Sequence, residues 1–175
     1  MWSRCMVRGC GKILILLMAV TTVTMGCGVE GAEVIEASGD TIELGQITVT
    51  VEGREFRDQV EPDEPIGYYN LYEEHEGYQY YVIAGTAQNH SGGSISSGGF
   101  AVTGETGGKR ENGKLVFMDE SRSEFVDEIE AEESLPCLIF VLTGEEEEPE
   151  SVNIFFNGNY RAGDGRQFDY EVRYS

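Results

Sequence analysis

The side chains that could support covalent catalysis are few and lie far apart in the chain. They are two histidines, His75 and His90, and the thiol of Cys137, which stands within an apolar run. Nucleophilic catalysis requires a serine or cysteine whose proton passes to a histidine that an acid orients. Neither histidine belongs to a Gly-x-Ser-x-Gly motif, and the adjacency of Ser91 to His90 says nothing about geometry. We expect a non-enzymatic protein in which Cys137 is buried and unreactive.

Acidic residues offer a second kind of chemistry, because calcium takes roughly six to eight oxygen ligands and suits extracellular loops. The candidate ligands are Asp119 with Glu120, and Asp164 with Asp169. The sequence contains no Asp-x-Asp-x-Asp/Asn-Gly loop, and Cys137 with two separated histidines does not form a zinc motif. No cofactor is therefore predicted, and calcium remains an alternative.

Tyrosine is the third feature with binding potential, since the sequence holds nine of them. Tyr69, Tyr72, Tyr78 and Tyr80 surround an expected connection at residues 73–77. Exposed tyrosines provide apolar area together with a hydroxyl, and they are enriched at interfaces. These four define a hypothetical binding face, and the alternative is that the same rings pack a sheet.

Short strands are the elements that would position these residues. Ile47, Val49 and Val51 alternate with threonines, and residues 78–88 are rich in aromatic and β-branched residues. No apolar period of 3.6 residues persists for three turns after the N-terminal segment, and residues 121–134 favour at most a short helical turn. Further strands are expected at residues 100–103, 115–118, 137–143, 152–156 and 168–174. This spacing predicts two packed antiparallel sheets with seven to nine strands.

The N-terminus has the order of a secretory signal peptide. Arg4, Arg8 and Lys12 precede an apolar core at residues 13–23, without any acid. A membrane-spanning helix needs roughly 20 apolar residues, which is more than this core provides. We therefore expect residues 1–26 to be a signal peptide rather than a permanent anchor.

The signal peptide ends in Thr24-Met25-Gly26-Cys27, which resembles the lipobox of bacterial lipoproteins. The resemblance implies cleavage between Gly26 and Cys27 and lipidation of Cys27. Residues 27–39 would then be a lipidated linker, and residues 40–175 a single domain. Acyl chains would hold the protein at the extracellular face of the cell membrane.

The charge of the chain excludes one class of partner. Removal of residues 1–26 takes three of the 12 basic residues and none of the 32 acidic ones, which leaves a formal net charge of −23. Nucleic-acid phosphates require a basic surface, so no nucleic acid is expected as a partner.

Two segments resemble a known family. Tyr80–Ser91, followed by Ile95-Ser96 and Phe100–Val102, and the later segment Ala131–Leu142 are similar to the signatures of a telokin-like, immunoglobulin-like domain of unknown function in Gram-positive surface lipoproteins. The resemblance covers residues 42–157 and implies an all-β, immunoglobulin-like antiparallel β-sandwich. It carries no catalytic residue, and residues 161–175 lie beyond it as an expected additional edge strand.

Two functions are compatible with these features. The first is a lipid-anchored, non-enzymatic module that binds or spaces another cell-envelope component, either a protein or a ligand. The alternative is a ligand- or calcium-binding lipoprotein that presents a small solute to a transporter. A concave pocket with convergent polar groups would favour the alternative.

Overall fold

A computed structural model describes residues 32–160 and 168–175. These residues form twelve β-strands and one turn of 3-10 helix, Ser97–Gly99. None of the helical structure in these ranges is long or apolar enough to cross a bilayer. The strands are β1 (Glu33–Ala37), β2 (Thr41–Leu44), β3 (Ile47–Arg57), β4 (Tyr78–Asn89), β5 (Ile95–Ser96), β6 (Phe100–Thr106), β7 (Lys109–Met118), β8 (Phe125–Val126), β9 (Glu128–Ile129), β10 (Ser134–Gly144), β11 (Ser151–Phe156) and β12 (Tyr170–Tyr174).

The main sheet follows one hydrogen-bonded path, in the order β1-β12-β11-β6-β7-β10-β4-β3-β2, with β8 added to β7. Strands β5 and β9 form a separate pair. The pairing of β1 with β12 is parallel, and the other pairs within the described ranges are antiparallel. Strand β12 also contacts β2, so the two ends of the path approach each other and the sheet is nearly closed.

Strand β7 carries the sheet from one layer of the sandwich to the other. Its first half, up to Gly113, pairs with β6, and its second half, from Gly113 onwards, pairs with β10. A side chain at Gly113 would place its Cβ 2.2 Å from the carbonyl oxygen of Phe140, so glycine permits this close approach of the backbones. The smaller layer contains β1, β12, β11, β6 and the first half of β7, and the larger layer contains the second half of β7 with β8, β10, β4, β3 and β2.

Alternate side chains of each strand point inward and form the core between the layers. Phe156 is fully buried, and its ring stacks on that of Phe100 with 4.6 Å between centroids. Each such side chain contributes roughly 1.5–3 kcal/mol when it leaves water. Other side chains of the main strands that face this core include Ile47, Val49, Ile83, Leu115, Phe117, Cys137, Ile139, Val141, Ile154 and Val172.

Asn89 belongs to the segment Tyr80–Ser91, which resembles the family signature, and its hydrogen bonds show what it does in the fold. Its side chain is fully buried, and Nδ2 donates to the carbonyl oxygens of Gly93, Ile129 and Glu130 at 2.8, 3.2 and 2.9 Å. Its Oδ1 accepts from the backbone amide of Ser91 at 2.8 Å. One side chain thus joins the turn after β4 to the turn after β9, and its role is structural.

The all-β sandwich predicted from the sequence is confirmed, with differences at its margins. The strand count exceeds the predicted seven to nine, because short pairs such as β5 with β9 are too brief for a sequence pattern. Residues 33–37, predicted as linker, form β1 because β12 supplies its hydrogen-bonding partner. Strand β12 is not an edge strand, since β1 and β11 flank it. Residues 121–134 contain β8 and β9 and no helix.

Candidate binding site on the strap

Three strands of the larger layer are buried on both faces. Tyr80 and Val82 of β4 point away from the core, yet they are 6% and 0% exposed. Adjacent strands β7 and β10 present apolar side chains on the same outward face. A sheet face of this kind requires a cover that excludes water. The outward cluster comprises Val60, Tyr80, Val82, Val116, Met118, Leu138 and Phe140, with Tyr72, Ala84, Phe125 and Leu142 packed against it.

The cover is the connection between β3 and β4, residues 58–77, which we call the strap. Val60 and Tyr72 form an antiparallel bridge within it, with N–O distances of 3.0 and 2.8 Å. The Tyr72 ring lies 4.8 Å from that of Phe140. Tyr80 Oη donates to the carbonyl oxygen of Glu73 at 3.0 Å. The strap is therefore packed and hydrogen-bonded onto the sheet along both of its arms.

Ion pairs fix the first arm of the strap against the loop that follows β7. Arg122 Nη1 donates to Asp63 Oδ2 at 2.9 Å, and Arg57 Nη2 reaches Asp63 Oδ1 at 3.3 Å. The backbone amide of Glu64 donates to the carbonyl oxygen of Arg122 at 2.9 Å. These side chains are partly exposed, and such pairs stabilise by about 0–1 kcal/mol each. Their main effect is to specify where the strap lies.

Asp119 organises the loop at residues 119–124. Its Oδ1 accepts from the backbone amides of Ser123 and Glu124 at 2.6 and 3.0 Å, and its Oδ2 accepts from the hydroxyl of Ser121. The hydrogen bond from the Ser121 side chain, followed by those from the backbone amides, lowers the pKa of Asp119 from 3.8 to about 2. This carboxylate is engaged by its own loop.

The strap tip, residues 66–71, projects from this packed region into solvent. Ile66 is 75% exposed, Leu71 is 40% exposed, and Tyr68 is fully exposed. A cleft of about 160 Å³ separates the tip from the loop organised by Asp119. The neighbouring carboxylate of Glu61, chiefly as a hydrogen-bond acceptor, raises the pKa of Tyr69. The cleft is lined by Tyr68, Tyr69, Asn70, Glu124 and Phe125.

The four tyrosines predicted as a binding face do not share one exposed surface. Tyr80 is buried, and Tyr72 is partly buried on Phe140. Tyr80 supports the strap from beneath, whereas Tyr72 belongs to the strap and packs down onto the sheet. Tyr78 is 49% exposed and lines a different cleft, of about 470 Å³, beside His75 and Glu145. Tyr69 alone among the four lines the cleft at the strap tip.

Sequence reasoning missed Ile66, Tyr68 and Leu71 as candidate binding residues. Two signals pointed to them. The continuous apolar run at residues 137–142 indicates a strand buried on both faces, which needs a cover. The longest connection between expected strands, which includes residues 58–77, carries apolar residues among acids, and long ordered loops are usually functional.

The candidate calcium ligands remain scattered where the structure describes them. Glu120 is exposed, and Asp169 Oδ2 accepts from the backbone amide of Gly158 at 3.1 Å. Within residues 32–160 and 168–175, no three His, Cys, Asp or Glu side chains form a metal-binding group. Asp164, Gly26 and Cys27 lie outside the described residues.

Cys137 is buried between the layers, as expected from its apolar surroundings. Desolvation raises the pKa of its thiol to about 12. The thiolate that acts as a nucleophile is therefore disfavoured at this position.

Comparison with known proteins confirms the fold class. No family model and no curated protein matches the chain. An uncharacterized β-sandwich protein of Clostridium difficile matches 84% of this chain and 97% of its own, with a TM-score of 0.58 and 17% identity. The YjhA protein of Bacillus subtilis matches 81% of this chain and all of its own, with a TM-score of 0.46 and 15% identity. YcdA of Bacillus subtilis, a candidate lipoprotein, matches 78% of this chain over 38% of its own length, with a TM-score of 0.43 and 10% identity.

Proposed function

We propose that this protein is a lipid-anchored, extracellular, non-enzymatic module that binds another cell-envelope component through the strap tip. The observation that carries the proposal is the exposure of Ile66, Tyr68 and Leu71 on a loop whose base is fixed. The resemblance to telokin-like domains of Gram-positive surface lipoproteins supports the location. The resemblance of residues 24–27 to a lipobox supports the anchor.

A braced loop with an apolar tip is suited to binding. Ordering a flexible loop at an interface reduces affinity, whereas a loop already held in place avoids much of that loss. The Val60–Tyr72 bridge and the Asp63–Arg122 pair hold the two arms of the strap before any partner arrives. Ile66, Tyr68 and Leu71 then bury apolar area on contact, which is the main favourable term in association.

The anchor would keep the domain close to the membrane. Strand β1 begins at Glu33, so residues 28–32 separate it from Cys27. Five extended residues span at most about 18 Å. The tether is shorter than the linker predicted over residues 27–39, and it favours partners near the membrane surface.

The anchor is tested by mass spectrometry of the N-terminus and by fractionation of cells. We expect the mature chain to begin at Cys27 with a diacylglyceryl modification, and Cys27→Ser to release the protein into the medium. An unmodified N-terminus at another residue would contradict the anchor.

Binding is tested by site-specific photo-cross-linking in intact cells. A photoreactive residue at position 68 should yield a discrete cross-linked species. The same residue at position 78, also exposed and directly after the strap at the first residue of β4, is the matched control and should not yield that species. Equal products from both positions, or none from position 68, would refute binding through the strap tip.

A further inference from the structure

We propose that the cleft at the strap tip receives a lysine or arginine side chain of a protein partner. This inference rests on the proposed function and specifies the chemistry of the same site. It is carried by the composition of the cleft, by a cation already held in the adjoining aromatic cluster, and by acids of the strap and the cleft that form no ion pair among the described residues.

The residues that line the cleft are of types suited to an organic cation. They are Tyr68, Tyr69 and Phe125, together with Glu124 and Asn70. Aromatic faces attract ammonium and guanidinium groups through their quadrupole, and a carboxylate adds a charge-assisted hydrogen bond. The volume of about 160 Å³ suits one side chain rather than a larger ligand.

The adjoining part of the strap already binds a cation of the chain itself. Lys114 Nζ lies 4.8 Å from the centroid of the Tyr72 ring and 3.5 Å from its hydroxyl oxygen. The Tyr72 ring in turn lies 6.2 Å from that of Phe125, which lines the cleft. One ammonium therefore contacts Tyr72, and the cleft offers further aromatic residues, Tyr68, Tyr69 and Phe125, to a second cation.

The charges around the cleft favour a basic protein over a bilayer. Among the ion pairs of the described residues, none involves Glu61, Glu64, Glu73 or Glu124. These acids would steer a basic surface toward the tip and repel anionic lipid. Ile66 and Leu71 extend the contact beyond the cleft, which a macromolecular partner can use and a small free cation cannot.

The test uses full-length lipidated protein in neutral detergent and a soluble peptide of alternating leucine and lysine. The matched probe is the same peptide with every lysine acetylated, which removes the charge and keeps the chain. Phosphocholine is the third probe. We expect the lysine peptide to bind about tenfold more tightly than the acetylated one, as measured by amide chemical shifts of residues 66–71 and 124–125.

Variants separate the cleft from general electrostatics. Glu124→Gln and Tyr68→Leu should weaken binding of the lysine peptide about tenfold. Glu76→Gln makes the same change in net charge at the other end of the strap, and Tyr78→Leu removes another exposed ring; both should bind as the parent does. Unchanged amide spectra outside the cleft confirm that each variant is folded.

Three outcomes would overturn the inference. They are equal binding of the acetylated peptide, an equal loss in Glu76→Gln and Glu124→Gln, and binding of phosphocholine alone, which would indicate a lipid headgroup. None of these would remove the cross-link from position 68, so the proposed function would survive them. Loss of the cross-link with cation selectivity retained would instead refute the proposed partner contact in cells.

Discussion

The two layers of the sandwich differ in how they use their outward faces. In the larger layer, β4, β7 and β10 present Tyr80, Met118 and Phe140 beneath the strap. In the smaller layer, the outward residues of β6, β11 and β12 form what we call the open face. There Asn153 and Glu171 are buried although they are polar, and Arg173 Nε donates to Glu171 Oε1 at 3.0 Å. The strap covers the outward face of the larger layer. On the open face, polar side chains form hydrogen bonds with one another.

The open face holds polar atoms that its own side chains do not satisfy. Within residues 32–160 and 168–175, the buried atoms Thr103 Oγ1, Asn153 Oδ1 and Glu171 Oε2 have no hydrogen-bond partner. Thr103 pairs with Asn153 across β6 and β11, and Asn153 pairs with Arg173 across β11 and β12. A buried polar atom without a partner costs roughly 1–3 kcal/mol. The apolar outward face beneath the strap, which we call the strapped face, therefore contributes stability, while the unsatisfied polar atoms of the open face offset part of it.

Truncation of a large ring on the strapped face should have the largest effect. Phe140 contacts the rings of Tyr72 and Tyr80, at centroid distances of 4.8 and 5.6 Å. We expect Phe140→Ala to lower the free energy of unfolding by about 3–5 kcal/mol, as measured by denaturant titration. Hydrogen exchange of the Val60 and Tyr72 amides should accelerate, because the ring beneath the strap is lost.

Phe155→Ala on the open face is the matched control for this truncation. Phe155 is 5% exposed, and its ring lies 5.5 Å from that of Phe168, away from the strap. It should reduce stability without selectively accelerating exchange in the strap. Equal acceleration of the Val60 amide in both variants would show that the strap does not depend on the face beneath it.

Removal of one hydroxyl under the strap should have an intermediate effect. Tyr80→Phe abolishes the hydrogen bond to the carbonyl oxygen of Glu73, and we expect a loss of about 1 kcal/mol in the free energy of unfolding. Tyr78→Phe, at an exposed ring two residues earlier, should change it little. If the two variants are equally stable, the second arm of the strap is not held by this bond.

A substitution on the open face should change the free energy of unfolding in the opposite direction. Valine has nearly the shape of threonine, and Thr103 Oγ1 has no hydrogen-bond partner in the part of the chain that the structure describes. We expect Thr103→Val to leave stability unchanged or to raise it by up to about 1 kcal/mol in thermal or denaturant unfolding. A clear loss would mean that the hydroxyl is satisfied by ordered water, and the contrast between the faces would weaken.

The smallest effect concerns the loop that forms one wall of the cleft. The pKa of Asp119 is lowered from 3.8 to about 2, so its hydrogen bonds stabilise the folded loop above pH 3.8. That contribution is lost as the pH falls through about 2. The amide shifts of Ser123 and Glu124 should report this change, and Asp119→Asn should abolish it. Persistence of the same titration in the variant would assign it to another carboxyl group.

The sequence predicted the layered β architecture because alternation of apolar residues is a local property. Ile47 and Val49 mark one face of a strand wherever its partner lies, and Asn89 stands in a recognisable motif. Strand β1 was mistaken for linker because its five residues become a strand only when β12 pairs with them. Asp119 was a candidate calcium ligand, because a sequence does not reveal that its carboxylate accepts hydrogen bonds from the amides of its own loop.

The candidate site was less accessible to sequence reasoning than the fold. Tyr80 and Tyr78 are two residues apart on one strand face, yet one is buried and the other is half-exposed, because the strap covers only part of that face. The sequence by itself determined the all-β class, the acidic charge and the expected address at the membrane. Only the tertiary structure decided which tyrosines remain in water and which residues line the cleft. The reason is that exposure depends on where the strap packs, and that position is specified by contacts with Phe140 and Arg122, which are distant in sequence.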